Sequence, residues 1–87
     1  MRVIKRNGIE VNFDKNKIKT AISKANNSVP ENVRMPEERI NSATIAITNE
    51  CQELGRECHV EEIQDMVEAY IMSYGFYHVA RAYVRYR

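Results

Sequence analysis

Cysteine is scarce in this chain: Cys51 and Cys58 are the only two among 87 residues. The N-terminus, Met1-Arg2-Val3-Ile4-Lys5, turns polar too early for an export signal, so two reduced thiols are expected rather than a disulfide. A structural zinc site needs four ligands in close pairs, a pattern that Cys51, Cys58 and His59 do not supply. No metal site is expected. Long apolar runs are also missing, which excludes a membrane-spanning helix and makes the cytoplasm the expected location. The usual catalytic signatures are absent too: no HExxH, no Gly-rich P-loop, no paired carboxylates. Cys51 falls on an apolar helical stripe, and Cys58-His59 has no acid placed to orient the imidazole. No catalytic residue is assigned, and the chain reads as a non-catalytic domain.

Net charge is nearly nil, formally +1, but its distribution is uneven. Arg2, Lys5, Arg6, Lys15, Lys17, Lys19 and Lys24 crowd the first segment against only Glu10 and Asp14. The middle is acidic, from Glu31 to Glu68, and the last turns carry Arg81, Arg85 and Arg87 with no acid. If the two basic ends meet, they form one focused positive site, which suits a small anion better than a long nucleic acid.

What is present is strong local patterning over a single domain, residues 1–87. Residues 2–13 read as a β-hairpin turning at Asn7-Gly8, the strongest two-residue turn signal. That register pairs Arg6 with Ile9, Lys5 with Glu10, Ile4 with Val11 and Val3 with Asn12. Ile4, Ile9, Val11 and Phe13 then face the core together with Arg6, while Lys5 points away. Asp14 suits a helix N-cap, and Ile18, Ala21, Ile22 and Ala25 form the stripe of a first helix over about 14–26. Pro30 and its neighbours break it. A second helix is expected over about 36–54, with Pro36 in its first turn and Ile40, Thr44, Ile47, Cys51 and Leu54 inward. A third, about 60–73, buries Val60, Ile63, Val67, Tyr70, Ile71 and Tyr74. Gly75 separates it from a fourth, about 76–86, carrying Phe76, Val79, Ala80, Tyr83 and Tyr86. The fold class is mainly α with a small β element: a four-helix bundle capped by an N-terminal β-hairpin.

The best-supported chemistry is anion binding. Lys5 and Arg6 lead into the turn, Lys17 lies one turn into the first helix, and that helix's N-terminus brings free N–H groups. Lys5 and Lys17, each taken alone, read as ordinary solvated cations. Arg6, on an inward face, needs a counter-charge.

These same residues resemble the ATP-cone, a small nucleotide-binding regulatory domain at the N-terminus of many ribonucleotide reductases. Val3-Ile4-Lys5-Arg6-Asn7-Gly8 is similar to the family's opening V-x-K-R-D-G, and Phe13-Asp14 through Lys17-Ile18 to F-D-x-x-K-I. Val79-Ala80-Arg81-Ala82-Tyr83-Val84-Arg85-Tyr86-Arg87 resembles the closing V-A-x-A-Y-x-x-Y-R. The family's fold is a four-helix bundle under a small β-lid. Within the family, residues 60–68 and the closing run look most like the anaerobic (class III) ribonucleoside-triphosphate reductase. A related repressor carries a zinc ribbon ahead of the cone, whereas this chain opens at the cone motif, so a piece of a longer reductase is expected.

The resemblance implies ATP or dATP as allosteric effector, with Mg²⁺ able to accompany the triphosphate. It implies Lys5, Arg6 and Lys17 on phosphates, Val3, Phe13 and Ile18 walling the adenine, and Asp14 near its polar edge. Arg81 or Arg87 would complete the phosphate site. Val60 stands where some relatives place a ribose-side polar residue, and Gln64 where some have histidine. Partners implied are adenine nucleotides and the parent's catalytic domain, with an effector-dependent oligomer. The alternatives are a degenerate cone acting only as an interaction domain, and a nucleic-acid-binding module on the basic hairpin. The acidic helices disfavour the latter.

Overall fold

A computed structural model describes residues 1–87 in full. Its elements run β1 (Arg2–Ile4), β2 (Glu10–Asn12), α1 (Lys15–Asn27), a 3₁₀ turn (Glu31–Val33), α2 (Glu37–Glu53), β3 (Cys58–His59), α3 (Val60–Ser73) and α4 (Tyr77–Tyr86). Four helices pack around one core, α1 against α2 and α4, and α3 against α2 and α4. Ile22, Ile47, Ile71 and Val79 are wholly shielded at its centre. Each such side chain contributes about 1.5–3 kcal/mol through burial. No helix is long and apolar enough to cross a membrane.

Local chemistry explains where α1 starts. Asp14 has extended backbone, and its Oδ1 accepts the Asn16 N–H at 2.9 Å, taking up one of the orphan donors of the first turn. Pro36 sits one position earlier than expected, as the N-cap of α2. Leu54 and Tyr86 lie at helix ends and are 38% and 61% exposed, so neither joins the core stripe expected of it. Val60, Tyr70, Tyr74 and Phe76 are only half-buried, packed on the core's margin.

The sheet departs from expectation in two ways. It has three strands, ordered β2-β1-β3, because Cys58 and His59 pair in parallel with Val3 and Ile4. A two-residue strand shows no periodicity of its own, so only its partner reveals it. The hairpin register is also shifted by one: Arg2 faces Asn12, Val3 faces Val11 and Ile4 faces Glu10.

The turn explains the shift. A two-residue type I′ loop needs positive φ at both positions, yet Asn7 has negative φ and only Gly8 is left-handed, at φ 85°. The loop is instead Arg6-Asn7-Gly8, closed by Gly8 N–H to Lys5 O and Lys5 N–H to Ile9 O, both 2.9 Å. Asn7 Oδ1 also accepts the Ile9 N–H. A slip of one residue exchanges the two faces. Val3 is therefore the buried residue of β1, and Lys5 shares its face. Arg6 turns outward with Ile4, and Ile9 is 56% exposed.

The two thiols, Cys51 and Cys58, are free and buried. Burial foremost, with Cys58 close by, pushes the Cys51 thiol up to about 12, which leaves it protonated and unreactive.

Candidate functional site

The inner face of the hairpin, the first turns of α1, the start of α3 and the end of α4 enclose two adjoining cavities. The narrower, about 270 Å³, is apolar for the most part. Val3 and Val11 form its sheet wall, Phe13 and Ile18 the α1 side, Val60, Ile63 and Val67 the α3 side. Lys5, Asp14, Lys17 and Gln64 supply its polar rim. The wider cavity, about 530 Å³, opens beside it along α1 and takes Asn16, Lys17, Thr20, Lys24, Tyr86 and Arg87. Asp14, Lys17, Ala21, Gln64 and Tyr83 line both. A small apolar slot leading into a cation-bearing basin fits a ligand with a flat apolar end and an anionic end.

Helical spacing builds the basin. Lys17, Thr20, Ala21 and Lys24 recur at i, i+3, i+4 and i+7 along α1, beside the buried stripe Ile18, Ile22 and Ala25. Tyr83, 5% exposed, walls both cavities from α4. Burial raises its phenol pKa, with Glu68 and Asp65 adding to this and Arg87 opposing it. Burial is the largest influence on Arg87 and acts to lower its pKa, but the bond and charge of Asp65, with Tyr83 and Glu68, together outweigh it and the net shift is upward. Arg87 stays cationic.

Of the residues singled out in the sequence, Val3, Lys5, Phe13, Asp14, Lys17, Ile18, Val60 and Gln64 all line the apolar cavity. Lys5 gets there because of the register shift, against the expectation that it would face away. Arg6 lines neither cavity. It lies on the far side of Gln64, where its Nη2 donates to Gln64 Oε1 at 3.0 Å and its Nε lies 3.6 Å from Glu61 Oε1. Its counter-charge thus comes from α3, not from an inward pocket. Arg87 borders the basin, but Asp65 and Glu68 hold it at 2.9 and 3.2 Å. Arg81 is exposed on α4 and lines neither cavity.

The N-terminus of α1 is less open to anions than its sequence implied, because the Asp14 carboxylate already occupies it. Cation side chains, rather than free N–H groups, make the basin positive. Sequence reasoning passed over Thr20, Lys24, Ala21 and Tyr83 as site residues. The first three were legible as a second α1 stripe in phase with Lys17. No group of three or more His, Cys, Asp or Glu side chains is arranged to hold a metal ion.

Fold and cleft together define a small helical binding domain with a β-lid. The ATP cone domain family matches over residues 1–87, and the chain belongs to that family. Its relatives include proteins named ribonucleoside-diphosphate reductase subunit alpha. The one from Chlamydia trachomatis serovar D is 36% identical over 98 aligned positions, covering 100% of this chain and 9% of the relative. Those from Chlamydia muridarum and Chlamydia pneumoniae are also 36% identical, over 94 and 91 positions, each covering 98% of this chain and 9% of the relative. The chain therefore spans about 9% of the length of these curated relatives.

Proposed function

We propose that the cleft binds an adenine nucleotide, ATP or dATP, as an allosteric effector, and that the chain acts as the regulatory domain of a ribonucleotide reductase. The observation that carries this reading is the junction of an apolar slot with a cationic basin at the start of α1. The base enters the slot between Val3, Phe13 and Ile18, with Asp14 and Gln64 at its polar rim. Lys5 and Lys17 meet the phosphates, and Lys24 extends the cationic surface along α1. Arg6 and Arg87 join only on leaving their α3 partners. Mg²⁺ enters as the triphosphate's counter-ion. Chemistry belongs to a catalytic domain of the parent.

The relatives bear on which parent this is. Their names are those of diphosphate reductase subunits, and they lend no support to the anaerobic triphosphate reductase suggested by residues 60–68. The reading kept is the broader one, a ribonucleotide reductase. Regulation needs the effector to bind two states of the parent, such as two oligomers, with different affinity. A coupling of about 1–3 kcal/mol suffices for a switch.

Calorimetric titration with ATP, dATP and GTP, with and without Mg²⁺, tests the proposal. Adenine-selective binding is expected, weakened about tenfold by Lys17→Ala, the loss of one charge-assisted contact. Absence of heat with every nucleotide, from folded protein, would leave a cone that serves only as a contact domain. Binding of oligonucleotides with steep salt dependence would favour the nucleic-acid reading instead.

A further inference from the structure

Glu61, Gln64, Asp65 and Glu68 stand at i, i+3, i+4 and i+7 on α3, so they share one face. Two arginines from distant parts of the chain close onto that face. Arg6 comes from the hairpin turn, bonded to Gln64 and paired with Glu61. Arg87 follows α4, held by Asp65 and Glu68. The two clasps flank the cleft, and each ties a rim element, the lid turn or the end of α4, to the same helix.

We infer that this α3 stripe is an internal competitor for phosphate, and that it holds down the cleft's affinity for nucleoside triphosphates, the ligands with enough charge to draw both arginines away. The inference rests on the nucleotide reading above and names the residues that set its charge requirement. To recruit both arginines a ligand must replace three carboxylates, Glu61, Asp65 and Glu68. A monophosphate brings only about two negative charges; a triphosphate brings more and spreads them across the basin.

The clasps differ in strength. The Arg6–Glu61 pair spans 3.6 Å with side chains 58% and 66% exposed, a screened contact that yields easily. Arg87 is 19% exposed and doubly paired, and a guanidinium that has lost water is costly to leave without a partner. Arg6 is released first. Arg87 follows only when a dense anion is already in place to receive it.

The test titrates the 87-residue chain and an Asp65→Asn/Glu68→Gln variant with ATP, AMP and inorganic tripolyphosphate. Both replacements keep the size and hydrogen-bonding reach of the originals. ATP and tripolyphosphate should bind the variant about threefold to tenfold more tightly, the scale of losing a partly exposed ion-pair competitor. The ratio of ATP to AMP affinity should rise, because only ATP had to displace Asp65 and Glu68 to reach Arg87. A Glu53→Gln/Glu57→Gln control makes the same charge change on carboxylates that hold no arginine side chain. Equal gains in the control, or no gain in the variant, would overturn the inference.

Wild-type protein supplies an independent reading through the NMR signals of the arginine Nε–H groups. Tripolyphosphate should move both Arg6 and Arg87, and AMP only Arg6. An Arg87 signal that stays fixed at saturating tripolyphosphate also overturns it. If wild type ignores ATP while the variant binds tripolyphosphate, the competitor stands and the effector reading falls. If wild type binds ATP selectively and the variant is unchanged, the reverse holds. If neither protein binds any phosphate, both fall.

Discussion

The two ends of the bundle hold their polar groups in opposite ways. At the end away from the cleft, the loop between α1 and α2 is pinned from within. Asn26, 7% exposed, donates to Met35 O at 3.0 Å and accepts the Met35 N–H at 2.7 Å. Arg34 reaches back to the carbonyls of Val29 and Asn27. Backbone partners there are satisfied by neighbours that cannot leave without exposing a buried polar group. At the cleft end, Lys5 and Lys17 stand free of ion pairs, and Arg6 is held by exposed side chains on another element. Buried satisfaction makes a fixed joint, whereas exposed pairing makes one that a ligand can exchange. The difference favours the cleft end, where polar groups have replaceable partners, as the place where a ligand can be exchanged in.

Breaking the fixed end should have the largest effect. Asn26→Ala leaves the Met35 N–H and C=O without partners and should destabilise the protein by about 2–6 kcal/mol, since each buried unpaired group costs about 1–3. Urea unfolding measures this. Nucleotide affinity, measured well below the new midpoint, should not change. A loss of affinity matching that of Lys17→Ala would mean the ends are not separable.

Gly8→Ala should have a smaller effect and sharpen the comparison at the lid. No atom lies within 4 Å of the added Cβ, so the whole cost is that of left-handed backbone, about 1–2 kcal/mol. The hairpin should fray, exposing Val3 amides to hydrogen exchange while those of α2 stay protected. Uniform loss of protection would show that lid and bundle unfold as one unit.

The smallest effect concerns pH at the start of α3. The bidentate bond from Arg56, and then the His59 N–H, hold the Glu62 carboxyl down to about 2 from a usual 4.5. A depressed carboxylate stabilises the fold fully above about pH 4.5 and loses that contribution as pH falls through 2. Glu62→Gln should therefore flatten the stability profile between those values and leave it parallel to wild type above pH 5. An unchanged acid limb would show that the Arg56 pair contributes nothing in solution, as many exposed pairs do.

Much of this was legible in the sequence because it depends on short-range rules. Asp14 declares a cap through its side-chain oxygen, Gly75 and Pro36 mark breaks, and the spacing of Ile18, Ile22 and Ala25 states which face of α1 is inward. Lys17 was singled out by its charge one turn into α1, and Val3, Phe13, Asp14 and Ile18 by the family motifs they belong to; the hairpin-to-helix join brings all five to the slot. The failures at the hairpin share one cause. Asn7-Gly8 is compatible with a two-residue loop and with a three-residue loop ending in glycine, and nothing local chooses between them.

The choice was made at a distance. β1 must pair on its other edge with Cys58-His59 and send Val3 into the core, and only the longer loop puts Val3 on that face. The same shift carried Lys5 into the slot and turned Arg6 out toward Glu61. Chain composition and periodicity by themselves determined four helices, a lid and which residues carry charge, because helix and turn preferences act within a few residues. Which cation faces the slot, and which is held by α3, was decided by the tertiary structure alone: strand register depends on a partner strand more than fifty residues away along the chain.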